Sequence, residues 1–211
     1  MRLPRPLEPV EIRVLGALLE KELLTPDVYP MTLPGLVAAC NQRTSREPVT
    51  DLTGAEVTGG LDRLRELVLA WKVTGGRADK WEHNLDAKWQ LGKPAKALVA
   101  LLLLRGAQTA AELRTRAERM HEFPSVEAVE ELLRTMAAHA EPLVVELPRR
   151  PGQKETRWTQ LAAGAPAEET PAPRPAALAG PSPIERRLLA LEERLSAVEA
   201  ELAALKRSLG A

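Results

Sequence analysis

The chain has 211 residues, with 29 Lys plus Arg against 29 Asp plus Glu and a formal net charge of zero. That balance argues against a polybasic protein held on nucleic acid by bulk charge. Hydrophobic residues make up 45% but aromatics only 3%, with 32 alanines, so the core is built from Leu, Val and Ala and favours packed helices over an all-β fold.

Met1-Arg2-Leu3-Pro4-Arg5-Pro6 leads into charged residues before a signal-like apolar core can form. The longest uncharged apolar run, Ala97 to Leu104, has eight residues where a membrane span needs about 20. Cys40 is the sole cysteine, which excludes an intrachain disulfide and a thiolate metal cluster. The expectation is a soluble cytoplasmic protein that does not contact membranes.

Glu8 to Leu24 carries Val10, Val14, Leu15, Leu18 and Leu19 on one helical stripe, with Pro9 suited to the first turn. Glu20, Glu22 and Asp27 near its end read as a solvated acidic cluster. Thr32 to Gln42 reads as a short second helix with Leu33, Leu36, Val37 and Cys40 inward. A polar loop follows around Pro48. Thr53-Gly54-Ala55-Glu56 has capping-box spacing and opens a third helix with Val57, Leu61, Leu64 and Val68 on one face. Gly59 and Gly60 weaken that helix but permit close approach of a neighbouring helix or a ligand. Leu69 to Thr74 and Lys80 to Leu85 read as a hairpin around Gly75-Gly76. Three helices followed by a hairpin is the winged-helix order.

The order then recurs. Pro94 to Leu104 is an apolar helix, and Thr109-Ala110-Ala111-Glu112 is a second capping box before Leu113, Ala117 and Met120. Ser125 caps a helix carrying Val126, Val129, Leu132, Leu133 and Met136. Leu143 to Leu147 and Thr156 to Leu161 form a second hairpin. The fold expected is mainly α with small β-hairpins: winged-helix domains at 1–91 and 92–162, an Ala/Pro-rich linker at 163–181, and a coiled-coil helix at 182–210.

In that last segment Ile184, Leu188, Leu191, Leu195, Val198, Leu202, Leu205 and Leu209 alternate in steps of four and three. With Leu188, Leu195, Leu202 and Leu209 at a, the g–e pairs Arg187–Glu192, Arg194–Glu199 and Glu201–Lys206 of a parallel dimer all have opposite sign. These eight apolar residues are the expected oligomerisation seam of a homodimer. Leucine at a leaves a trimer open, and a solitary helix folded back on the second domain is the plainer alternative.

Among candidates for chemistry, His83, His121 and His139 form no metal-ligand spacing, and phosphate-loop, dinucleotide and nucleophile-elbow motifs are lacking. Cys40, on the apolar side of its helix, reads as an inert core thiol. No catalytic residue, metal or cofactor is expected. Nucleic-acid binding rests on fold and local charge. The third helix offers Thr58, Arg63 and Arg65 to a groove, and the first wing offers Arg77 and Lys80. The second wing offers Arg149, Arg150 and Lys154, whereas the helix before it is acidic, with Glu127, Glu130 and Glu131.

Cys40-Asn41-Gln42-Arg43-Thr44-Ser45-Arg46-Glu47-Pro48, Leu103-Leu104-Arg105-Gly106-Ala107-Gln108-Thr109 and Arg116-Ala117-Glu118-Arg119-Met120 resemble the bacterial family UPF0502, also called DUF480. Tyr29-Pro30 and Gly152-Gln153-Lys154-Glu155 fit as well, so the resemblance spans residues 9–162. It implies tandem winged helices with a coiled-coil tail, and no established activity. The Cys40–Pro48 segment reads first as structural, with Asn41, Thr44 and Ser45 stabilising the turn; the other reading is that Asn41, Gln42, Arg43 and Arg46 contact phosphates or bases. Two functions follow as expectations: an oligomeric DNA-binding, regulator-like protein whose partner is double-stranded DNA, or an adaptor that binds a protein partner through the winged domains.

Overall fold

The computed structural model describes residues 3–76, 78–149, 153–166 and 194. Residues 1–166 form one compact unit. Its fold is mainly α-helical, with small antiparallel hairpins. The expected linker and heptad seam, Ile184 to Leu209, lie outside the described residues, as do Arg77 and Arg150; of the tail only Arg194 is described, helical and exposed.

The first half comprises α1 (Pro9–Leu24), a 3₁₀ turn (Pro26–Val28), β1 (Met31–Thr32), α2 (Leu33–Cys40), α3 (Gly54–Glu66), β2 (Ala70–Val73) and β3 (Lys80–His83). Its three strands lie in the order β1-β3-β2, all antiparallel. A short α4 (Leu85–Trp89) connects to α5 (Lys93–Arg105), α6 (Ala110–Ala117), α7 (Val126–Ala137), β4 (Val144–Leu147) and β5 (Arg157–Gln160).

Local sequence explains the helix starts. Thr53 and Thr109 each accept from the backbone N–H three residues on, while Glu56 and Glu112 bond back to the threonine N–H. Ser125 accepts from the Ala128 N–H. The third helix stops earlier than its apolar stripe. Val68 lies beyond α3 at φ +59°, donating to the Arg65 carbonyl, while the Leu69 N–H bonds the Leu64 carbonyl. Those two bonds make a Schellman cap with valine where glycine is usual, which is why the sequence carries no stop signal.

The halves repeat at the level of single residues. Trp81 pairs with Met31, and Trp158 forms an isolated bridge with Gln108; each tryptophan lies 50 residues after its partner. Thr32 and Thr109, the residues after those partners, cap α2 and α6. Gln108 thus stands in the second half where β1 stands in the first. Its side chain is buried, donating to the Leu101 carbonyl and accepting from Arg116 Nη1.

The core is one contiguous cluster centred on α1 and α5. Arg13 to Glu20 and Ala95 to Leu104 are buried without interruption, so both helices are enclosed on all sides. They meet tightly: a Cβ at Gly16 would lie 2.9 Å from Leu104 Cγ and 3.0 Å from Leu103 Cβ. Gly60 similarly lets α3 approach α1, since its Cβ would lie 3.0 Å from Val10 Cγ1. Of the two expected uses of the glycine pair, close helix packing is therefore realised at Gly60.

Candidate interaction surfaces and the buried polar network

The segment after α2 is held by its own polar side chains. Asn41 accepts from the Leu52 N–H and donates to the Leu52 carbonyl, both at 2.8 Å, closing the loop between two residues eleven positions apart. Arg46 is buried, its side chain 0% exposed, and grips Glu20 through two bonds of 2.9 and 2.6 Å. Arg46 also donates to the Ala39 carbonyl and to Gln42 Oε1. Asn41, Gln42 and Arg46 are thus engaged inside the protein, in keeping with the structural reading of the segment. Arg43 alone of the four projects as an exposed side chain.

Glu20 corrects an expectation. The sequence places it in a solvated acidic helix end, but it is only 4% exposed and is the counter-ion of Arg46. Glu22 likewise sits in a network: its Oε2 is 2.9 Å from both His83 Nε2 and Lys96 Nζ, and Lys96 Nζ reaches Asp86 Oδ2 at 2.8 Å. The bond to His83 and the neighbouring Lys96 ammonium hold the Glu22 carboxyl down at about 2. The Tyr29 hydroxyl accepts from the His83 N–H at 2.7 Å, and burial pushes that phenol well above its ordinary value. The sequence held no local signal for this cluster, because His83 and Lys96 lie 61 and 74 residues from Glu22.

Cys40 is buried, and burial raises its thiol to about 12, so it stays protonated and unreactive at neutral pH. Arg13 is buried on α1; one guanidinium nitrogen donates to the Pro48 carbonyl, and Nη1 has no hydrogen-bond partner among the described residues. Desolvation, with Arg46 nearby, lowers the Arg13 pKa.

On α3, Thr58 donates to the Gly54 carbonyl of its own helix at 2.8 Å. Arg63 lies 3.3 Å from both Glu8 and Glu11, and Arg65 is exposed, 3.6 Å from Asp62. Glu56 and Glu66 share the exposed face. On α7 the exposed residues include Glu127, Glu131 and Arg134, with Arg134 held by Glu130. Arg43, Lys80, Arg149 and Lys154 are exposed and have no ion-pair partner among the described residues. Trp71 and Val73 are exposed on the edge strand β2.

A sequence profile described as "Protein of unknown function, DUF480" matches residues 7–153. The chain belongs to that family. Among its UPF0502 relatives, a protein of Citrifermentans bemidjiense is 46% identical over 214 residues, covering 96% of this chain and 95% of its own. One of Geobacter metallireducens is 49% identical over 191 residues, covering 89% and 87%. One of Geotalea daltonii is 49% identical over 176 residues, covering 82% and 81%. Each carries only the family designation. Among the described residues no three His, Cys, Asp or Glu side chains converge on a metal-sized site, and no helix is long and apolar enough to cross a membrane.

Proposed function

We propose that this UPF0502 chain is a non-catalytic protein-interaction module: two winged helices joined through a common core and assembled into an oligomer by the heptads of residues 184–209. The helix–strand–helix–helix–hairpin order with sheet order β1-β3-β2, and its recurrence around Gln108 and Trp158, support the winged-helix reading. The observation that carries the function is the acidity of both third helices. In a winged helix this element enters the DNA major groove. Here α3 presents Glu56 and Glu66 with its arginines beside acids, and α7 presents Glu127 and Glu131 with Arg134 on Glu130. Such faces repel phosphate and suit a protein partner. Catalysis is disfavoured because Glu22, His83, Lys96 and Asp86 bond one another, and the imidazole is 2% exposed.

DNA binding is the second reading, favoured by Arg43, Lys80, Arg149 and Lys154, whose exposed cations lie in the loop after α2 and in the wings. Phosphate contact by these four would leave a salt-dependent signature. Fluorescence anisotropy of the full chain on labelled genomic duplexes at 50 and 200 mM salt separates the two. Absence of selective binding at micromolar protein is the outcome expected; selective binding that weakens steeply with salt overturns the proposal and makes those four residues the mutants to test. The assembly is read by sedimentation equilibrium, where removing residues 182–211 lowers the mass to that of a monomer.

A further inference from the structure

His83 ends β3 with its imidazole 2% exposed and both ring nitrogens engaged. Nδ1 lies 3.2 Å from the Leu85 backbone nitrogen and Nε2 lies 2.9 Å from Glu22 Oε2. A backbone N–H can only donate, so Nδ1 carries the lone pair; Nε2 then carries the proton and donates to the carboxylate. The neutral ring therefore joins α1 to the first residue of α4.

That first residue depends on the ring. The Leu85 N–H is an orphan donor at a helix N-terminus. Asn84, in the capping position, does not cap it and donates instead to the Val68 carbonyl. Leu85 is fully buried, so water does not substitute. In the five-residue α4 the Asp86 carbonyl accepts from the Gln90 N–H and the Asp86 carboxylate from Lys96, while Asn84 before it donates its N–H to the Leu69 carbonyl, so none of these bonds reaches the Leu85 N–H.

We infer that His83 is a proton-operated latch: protonation of Nδ1 sets two donors face to face and releases the start of α4, the connector between the two halves, while the surrounding core stays folded. The charged groups around the ring fix where the proton's effect falls. Glu22 of α1 accepts from Nε2 in both protonation states and holds the imidazolium in place, and Lys96 of α5 shares the same carboxylate oxygen. Glu82 precedes His83 on β3, Asp86 belongs to the released segment, and the Tyr29 hydroxyl stays on the His83 N–H. The single bond lost on protonation is the one that anchors Leu85.

The test is amide hydrogen exchange with imidazole ¹⁵N spectroscopy on the full chain between pH 7.5 and pH 5. The ring at pH 7.5 is the Nε2–H tautomer. Where the ring carries its second proton the Leu85 protection factor is lower by about fivefold or more, the loss expected of an unpaired buried amide, while Leu18 and Leu102 keep theirs. His83→Asn leaves an acceptor near the Nδ1 position that does not titrate, and its Leu85 protection is flat over the same range. An Nδ1–H tautomer at pH 7.5, protection at Leu85 that does not change with the ring, or an equal fall in His83→Asn each overturns the latch. The spectroscopic readout needs only the wild-type chain, so a variant that fails to fold does not remove the test.

Discussion

Glu22 receives two donors on one oxygen, His83 and Lys96, with its side chain 26% exposed. Its carboxyl is held at about 2 in the folded chain against an ordinary 4.5. A depressed folded-state pKa means the stabilisation is complete above about 4.5 and is lost as pH falls through about 2. With partial exposure screening the pair, the contribution is on the order of 2 kcal/mol. Glu22→Gln removes this titration. Urea midpoints measured from pH 5 to pH 2 therefore fall more steeply for the wild type than for the variant, and equal slopes would show that Glu22 carries none of the acid sensitivity. Arg46 and Glu20 obey a different rule. Breaking one member of a buried pair leaves an uncompensated charge, which costs far more than the pair itself contributes. That cost keeps the two joined, so the Cys40–Pro48 segment, rich in amides and guanidinium groups, acts mainly as a clasp. Its two halves come from Glu20 and Arg46, 26 residues apart, beyond any local pattern.

At the scale of elements, the glycines of α1 and α3 separate packing from propensity. Gly16→Ala places a methyl against Leu104 Cγ and Leu103 Cβ in an enclosed crossing. Overpacking there costs about 1–3 kcal/mol and outweighs the helix-propensity gain of about 1 kcal/mol. At Gly59 the nearest atom to a new Cβ is Arg63 Nη1, the far end of a long side chain, at an ordinary contact distance of 3.4 Å, so Gly59→Ala stabilises by up to about 1 kcal/mol. Chemical denaturation of the two variants shows opposite signs; a Gly16→Ala protein as stable as the wild type would mean that the crossing opens freely. Elements whose signals are local were legible: the boxes at Thr53 and Thr109, the Ser125 cap and both hairpins lie where spacing places them. What escaped is set by distant contacts. The two residues of β1 become a strand only by pairing with Trp81, and α4 is too short for a periodic stripe. Val68, continuing the apolar face of α3, adopts a left-handed conformation that its residue type disfavours.

For the whole molecule, the heart of the fold is a helix from each half. Leu15, Leu18 and Leu19 of α1 and Leu98, Leu101 and Leu102 of α5 belong to one buried cluster, and neither helix has a solvent face along its centre. A half deprived of the other would expose an apolar helix surface with nothing to cover it, so each half contributes core to its neighbour. Residues 1–166 should then unfold in a single cooperative step. The tryptophans allow each half to be followed separately, Trp71 and Trp81 in the first and Trp158 in the second. A Trp89→Phe/Trp158→Phe chain reports on the first half, and a Trp71→Phe/Trp81→Phe/Trp89→Phe chain reports on the second. Because replacing the buried Trp81 or Trp158 itself alters stability, each chain is compared with its own far-ultraviolet circular dichroism. Fluorescence and dichroism midpoints coincide within each chain if the halves unfold together, and Gly16→Ala shifts both reporters downward. A fluorescence midpoint that departs from dichroism in either chain would mean that α1 and α5 separate before the halves unfold, and that the common core is a docking contact between independently stable units.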